Sequence, residues 1–255
     1  MAEVGEARAG ARRGEYGIDA PAVPASMGGV GVLLLVLGFV LLSTRPVGAV
    51  LGWTIWAFAV GGYLILSASS YLYTTRRGTF RVWAGLLDGL DLRGDERLLD
   101  LGCGRGAVLL LAAQRLPNGH AVGVDLWRSV DQSGNTEAAT RANAEAEGVS
   151  ARVELCTGDM TELPFDDGAF DVVVSSLAIH NIPSTPARAR AVAEALRVVR
   201  PGGRILLADI RNARTYARVL RGAGATGVRC RRLGPRFWYG GPWVATTLVT
   251  ARRAG

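Results

Sequence analysis

The run Leu98-Leu99-Asp100-Leu101-Gly102-Cys103-Gly104-Arg105-Gly106 sets a carboxylate two residues ahead of three glycines at alternate positions. Glycine permits backbone angles closed to other residues and lets the main chain approach a ligand with no Cβ in the way. A helical pattern, Ala107–Leu116, follows the turn, so the free N–H groups and positive dipole end of that helix would point into the same crevice. A strand–turn–helix unit of this kind is a nucleotide-type cofactor site at the carboxyl edge of a parallel sheet. The spacing is G-x-G-x-G, whereas a pyrophosphate cradle reads G-x-G-x-x-G. A carboxylate at Asp100 repels a pyrophosphate but can receive an ammonium group. Both features disfavour a nicotinamide oxidoreductase.

The turn resembles motif I of the class I S-adenosylmethionine-dependent methyltransferases, and the chain beyond it keeps to that pattern. Asp125 ends the strand His120–Val124, about 20 residues beyond the loop, where an acid partners ribose hydroxyls. Leu126 and Trp127 come next, and Trp127 is placed to lie against the adenine. A third strand, Arg152–Cys156, leads to Gly158-Asp159-Met160. There the resemblance implies that the acid accepts from the adenine amino group and that the next backbone N–H reads a ring nitrogen. A fourth strand, Phe170–Ser175, runs into Ser176-Leu177-Ala178-Ile179-His180-Asn181, and a fifth covers Ile205–Asp209. The implied cofactor set is Asp100, Gly102, Gly104, Gly106, Asp125, Leu126, Trp127, Asp159, Met160 and Ser176. The resemblance spans about Phe80–Arg253 and is greatest to the small-molecule branch that includes quinone-biosynthesis enzymes. It implies an α/β, Rossmann-like sheet of seven strands in the order 3-2-1-4-5-7-6 with the last antiparallel.

Periodicity supports such a fold independently. Helical patterns at Glu137–Glu147, Pro186–Val199 and Ala213–Gly224 alternate with short β-branched runs, as βαβ crossovers do. Thr226–Leu233 and Val244–Ala251 form a closing hairpin around Phe237-Trp238-Tyr239-Gly240-Gly241-Pro242-Trp243. That aromatic patch would line an acceptor pocket, dip into a membrane interface, or act as a plain lid. The segment Trp127–Thr136, rich in Asx and Gly, would cover the adenosine or merely cap the next helix through Asn135 or Thr136.

Ahead of this domain the chain is unusually apolar. Ala20–Thr44 and Val47–Thr75 carry no charge, and a span needs about 20 apolar residues. Residues 1–24 read as a polar tail, 25–75 as a two-helix transmembrane hairpin turned at Arg45-Pro46, and 76–255 as the methyltransferase domain. The competing reading packs these helices on the domain or on a second subunit. A cleaved signal peptide fits poorly, because four acids stand beside three arginines in its n-region. Arg8, Arg12 and Arg13 precede the hairpin, Arg76, Arg77 and Arg81 follow it, and Arg45 alone lies between. The positive-inside rule then puts both ends in the cytoplasm, with the hairpin in the plasma or inner membrane.

All 29 basic residues are arginine, which points to a GC-rich bacterial genome, and the net charge is +7. No acid follows Asp209, whereas ten arginines do. That tail would lie on anionic headgroups or form a solvated face, and without an RNA-binding module no nucleic-acid partner is expected. The three cysteines stand at no metal-ligand spacing, so no metal is expected, and Cys156 and Cys230 read as buried strand positions.

A sulfonium methyl is an activated electrophile, so the protein's work would be alignment and exclusion of water. His180, beyond the fourth strand, is the histidine placed to act as a base, unless it only packs or orients the loop. The expected function is a membrane-anchored methyltransferase acting on a small lipophilic acceptor. The alternative is a cofactor-binding membrane scaffold or regulator without turnover.

Overall fold

The computed structural model describes residues 12–44 and 47–255. The tail as far as residue 11, with Arg8, and the expected turn at Arg45-Pro46 lie outside the described residues.

Seven strands form one sheet: β1 (Arg97–Leu101), β2 (His120–Asp125), β3 (Val153–Thr157), β4 (Phe170–Ser176), β5 (Val199–Asp209), β6 (Thr226–Arg232) and β7 (Thr247–Arg252). Their order is β3-β2-β1-β4-β5-β7-β6, and β7 runs antiparallel to both its neighbours. The strands turn successive side chains to opposite faces, so Leu98, Val172, Val174 and Leu206 pack with Trp83 and Leu110 on one side. Leu99, Val173, Ile205 and Leu207 pack with Tyr216 and Leu220 on the other. The intervening helices are α4 (Ala107–Ala113), α5 (Glu137–Ala146), α6 (Thr185–Val198) and α7 (Ala213–Gly222).

Three boundaries or burials differ from expectation for identifiable reasons. Helix α4 stops at Ala113 instead of Leu116, because Pro117 disfavours helical angles in the residue before it. Strand β5 starts at Val199 instead of Ile205, ahead of a bulge: Phe170 pairs with Val199 and Val172 with Arg204, so the chain through Pro201-Gly202-Gly203 loops out of register, with Gly202 at φ +75°. Cys230 is exposed, not buried, because β6 is the edge strand and the face carrying Cys230 is uncovered.

Helices α1 (Ala22–Thr44) and α2 (Val47–Tyr73) pack against each other as an antiparallel pair. Their crossing is close where Gly31 meets Gly61: a Cβ on Gly61 would lie 2.9 Å from the Gly31 carbonyl oxygen. Small residues of this kind let two apolar helices approach through their backbones. Both are long and apolar enough to cross a membrane. Their outer surface is uncovered, with Leu33 69%, Phe39 66%, Trp53 68% and Leu66 73% exposed. The segments flanking the pair meet on the domain side, where the Arg12 guanidinium donates to the Arg76 carbonyl at 2.5 Å.

The boundary at residue 75 is not a break in structure. α2 passes through one π-turn (Thr74–Gly78) into α3 (Thr79–Asp88), and Val50–Asp88 is a single helical run of 39 residues. α3 buries Trp83 and Leu87 against the sheet and Phe80 against Tyr16 and Arg12, and the Trp83 indole N–H donates to Ser176 Oγ at 2.9 Å.

Candidate functional site: a cavity from the glycine turn to the apolar helices

A cavity of about 460 Å³ opens at the carboxyl ends of β1, β2, β3 and β4. At one end stand Asp100, Gly102, Gly104, Asp125, Leu126, Asp159, Met160 and Ser176. Gly102 has φ +71° and its amide donates to the Val124 carbonyl at 2.8 Å, which seats the turn on β2. A Cβ there would run into the Ala178 methyl. Gly102→Ala is therefore expected to cost about 1–3 kcal/mol through overpacking and a left-handed φ, read as a lower thermal midpoint. Gly104 has φ +52°, and a Cβ on it would lie 2.6 Å from Gln132 Oε1. Gly106 does not line the cavity; it starts α4 at φ +87° with Leu110 and Thr140 against it.

Asp125 organises the neighbouring loop. Its Oδ2 accepts the Gly104 amide at 2.9 Å, and its Oδ1 accepts the Trp127 amide at 2.6 Å and Asn135 Nδ2 at 3.2 Å. Trp127 is not brought to the cavity: at φ +56° its indole N–H turns to Thr157 Oγ1 at 2.7 Å, and Leu126 takes the lining position. Asp159 fixes its own turn, with Oδ1 accepting the Thr161 amide at 2.8 Å.

Two buried oxygens at this end have no hydrogen-bond partner, Asp100 Oδ1 and Asn135 Oδ1. Buried polar atoms are rarely left so. Burial, then the Asp125 charge, pushes the Asp100 carboxyl up to about 8. An unfolded aspartate ionises near 3.8, so between the two values folding takes up a proton and this group's contribution to stability falls as pH rises. Asp100→Asn is expected to raise the thermal midpoint of the ligand-free protein by a margin that widens from pH 4 to pH 8. Thermal scans of both proteins across that range check it.

The other end of the cavity holds His180, Tyr16, Asp19, Tyr71, Thr75, Phe80 and Tyr239. The His180 amide donates to Asp209 Oδ2 at 3.1 Å, and its Nδ1 lies 2.8 Å from Asp209 Oδ1, off the ideal hydrogen-bonding angle. The Tyr216 hydroxyl donates to the same carboxylate at 3.0 Å. Asp209 ends β5 and is buried, so an acid at a strand's carboxyl end was the visible signal for a residue to which the sequence alone assigned no role. His120 opens β2, well away from this group.

A roof closes the cavity from the polar tail. Ile18 and Ser133 exchange main-chain and hydroxyl bonds at 2.9 and 3.1 Å, and the Ala20 amide donates to the Asp131 carbonyl at 3.2 Å. Glu15 is held by Asn143 through bonds of 2.8 and 2.9 Å. The Asp19 carboxylate accepts Tyr239 OH at 2.8 Å, Gln132 Nε2 at 3.0 Å and Thr75 Oγ1 at 3.4 Å. Burial pushes that carboxyl up, and those donors pull it down. Gln132 in turn accepts the Arg105 amide at 2.8 Å, linking roof to glycine turn. The segment Trp127–Thr136 thus covers the cavity and also caps α5, through Thr136. The aromatic patch divides its work: Tyr239 lines the cavity, whereas Trp243 packs on Tyr63 of α2 at 5.3 Å.

The sheet order, with its reversed last strand and this cavity at the parallel strands' carboxyl ends, decides the fold. It is the class I methyltransferase fold. Residues 99–207 match a family described as "Methyltransferase domain". A ubiquinone/menaquinone biosynthesis C-methyltransferase from Dinoroseobacter shibae is 39% identical over 133 residues, 52% of this chain and 50% of that protein. Nocamycin O-methyltransferase from Saccharothrix syringae is 42% identical over 121 residues, 47% of this chain and 40% of that protein. The chain spans about half the length of the curated relatives it matches. Among solved structures, geranyl diphosphate C-methyltransferase from Streptomyces coelicolor superposes with TM-score 0.53 at 19% identity, covering 67% of this chain and 79% of that one. The cyclase SpnF superposes with TM-score 0.55 at 21% identity, covering 67% and 81%. A methyltransferase fold can therefore carry other chemistry, and function has to be argued from the site.

Proposed function

We propose that this chain is a membrane-anchored S-adenosylmethionine-dependent methyltransferase acting on a small, lipophilic acceptor. The observation that carries the reading is the cavity's reach, from the glycine turn at one end to Tyr71 of the apolar helix and Thr75 of the turn after it at the other.

The cofactor-side residues suit S-adenosylmethionine. Asp100 Oδ1, buried and unpartnered, would take the ammonium group, and a cation there favours the ionised carboxylate. Asp125 and Asn135 would hold the ribose hydroxyls, while Asp159, Met160 and Leu126 would receive the adenine. Bound there, S-adenosylmethionine supplies an electrophilic methyl on a positively charged sulfur. The protein's share is then to orient the acceptor in line and exclude water, which the roof and the walls formed by Tyr16, Phe80 and Tyr239 provide. His180 Nε2 would accept the proton that the acceptor's nucleophile gives up, and Asp209 would stabilise the resulting imidazolium. Positioned general bases contribute about 10²–10⁴-fold. His180→Ala is accordingly expected to lower turnover at least ~100-fold while S-adenosylhomocysteine affinity, by calorimetry, stays within about twofold.

The exposed apolar faces of α1 and α2 support a bilayer, since a helix packed on the domain would bury them. Arg12, Arg13, Arg76, Arg77 and Arg81 gather at the end nearest the domain, which fits a cytoplasmic catalytic side. The test is to incubate membranes containing the protein with methyl-labelled S-adenosylmethionine. Label in the organic extract that disappears in the His180→Ala variant supports the assignment. Cofactor binding with no labelled product would favour a scaffold or regulator.

A further inference from the structure

A second cavity, of about 490 Å³, lies between α3 and the face of β5, β7 and β6. Its lining contains Arg204, Arg229, Arg231 and Arg252, and no acid. Strand register explains why all four point the same way. Arg204 is the direct partner of Arg252 across β5 and β7, while Arg229 and Arg231 pair with Thr250 and Leu248, two and four residues before Arg252 on the same face. Like charges directly opposite each other across a sheet are destabilising. Burial and the neighbouring Arg252 both push the Arg204 guanidinium below its usual range. Among the described residues, Arg204, Arg229, Arg231 and Arg252 make no ion pair with an acid.

Glycines open part of each wall, beside Leu86 and Leu90. Gly85 lies on α3, Gly89 caps its end one turn later, and Gly227 lies opposite on β6; a Cβ on Gly85 or Gly227 would meet nothing within 4 Å. The floor is Leu206 and Leu248, and Arg204 is anchored to the Leu90 carbonyl. The result is an open cleft with several guanidinium forks around an apolar base, at a size usual for ligand sites.

We propose that this cleft binds the phosphate groups of a water-soluble ligand. Guanidinium groups match phosphate oxygens two at a time, and a multiply charged phosphate answers several arginines where a single carboxylate does not. On the membrane placement proposed above, the height of the cleft selects a soluble source over a lipid headgroup. α3 continues α2 without a break, so Gly85–Leu90 lie about 20 Å beyond Tyr73 at 1.5 Å per residue. The headgroup layer extends only some 5–8 Å past the hydrocarbon core.

The test uses the full chain in phosphatidylcholine nanodiscs, titrated calorimetrically with pyrophosphate. Binding that weakens as salt rises is expected, as is at least a tenfold loss of affinity in the Arg229→Ala/Arg231→Ala double variant. Both residues are exposed on the edge strand, and unchanged S-adenosylhomocysteine binding by the variant would show that the fold is intact. Adding phosphatidylglycerol to the nanodiscs should leave pyrophosphate affinity unchanged. The proposal is overturned by absence of pyrophosphate binding, by equal binding in the double variant, or by competition from phosphatidylglycerol, which would make the ligand a headgroup. None of these outcomes depends on methyl transfer.

Discussion

Asp125→Ala is expected to reduce S-adenosylhomocysteine affinity at least about 100-fold, measured by calorimetry on the full chain in detergent. Two losses combine. The first is the pair of ribose hydrogen bonds proposed for this carboxylate, each worth about 1.5–3 kcal/mol to a charged acceptor. The second is internal, because the same carboxylate holds Gly104, Trp127 and Asn135, which belong to the two loops that frame the cofactor end. Every 1.4 kcal/mol is roughly tenfold, so the direct term at its lower bound, about 3 kcal/mol, already gives the stated loss. One opposing effect is smaller: without the Asp125 charge, Asp100 ionises more readily, which helps it hold an ammonium group. Asp159→Ala should cost less, since that carboxylate would take a single adenine hydrogen bond and otherwise holds only its own turn. Affinity within threefold of the parent protein would sink the placement of the ribose at Asp125.

Removing residues 1–75 is expected to yield a chain that aggregates without detergent and does not bind S-adenosylhomocysteine. A hairpin serving only as an anchor would leave a soluble, binding-competent domain behind. The packing argues otherwise. The truncation removes Tyr16, Asp19 and Ala20 from the roof and Tyr71 from the wall, and it uncovers Tyr239, which is 6% exposed in the intact protein. It also strips Ser133, Gln132 and Asn143 of partners that hold the cofactor loop closed. A second variant separates roof from helices: residues 12–20 replaced by a Gly/Ser segment, with both apolar helices kept. It should stay in membranes and bind S-adenosylhomocysteine about tenfold more weakly, a loss of roughly 1.4 kcal/mol. A soluble 76–255 fragment with full affinity would show that the preceding residues only tether.

How much of the site is legible in the chain is a matter of locality. Asp100, the glycines and Asp125 announce themselves because a tight turn and a strand end impose residue types on a few consecutive positions. The strand order was legible only through resemblance, since no local rule orders seven strands. The roof was not legible. Asp19 and Gln132 are 113 positions apart, and nothing in either neighbourhood announces the other. An aromatic after the ribose acid reads as a stacking surface, and the left-handed φ that turns the Trp127 indole to Thr157 has no local signal. Arg76 and Arg77 read as the end of a span, but a change from apolar to charged side chains does not end a helix, and here the backbone bonds continue through one π-turn. Asp209 was seen as the last residue of a strand, and its partnership with His180 needed the loop after β4 to be folded beside it.

The unbroken passage from α2 into α3 has a mechanical meaning. A domain on a flexible linker samples many heights and tilts above a bilayer, and it finds its substrate by swinging. Here a continuous helix is keyed to the sheet by Trp83, which ties the domain's orientation to that of the helix. On the proposed placement, the mouth of the cavity is held at one depth beside the lipid. An acceptor would then be selected by how far its reactive atom stands out of the membrane, a ruler built from helical rise rather than from pocket shape.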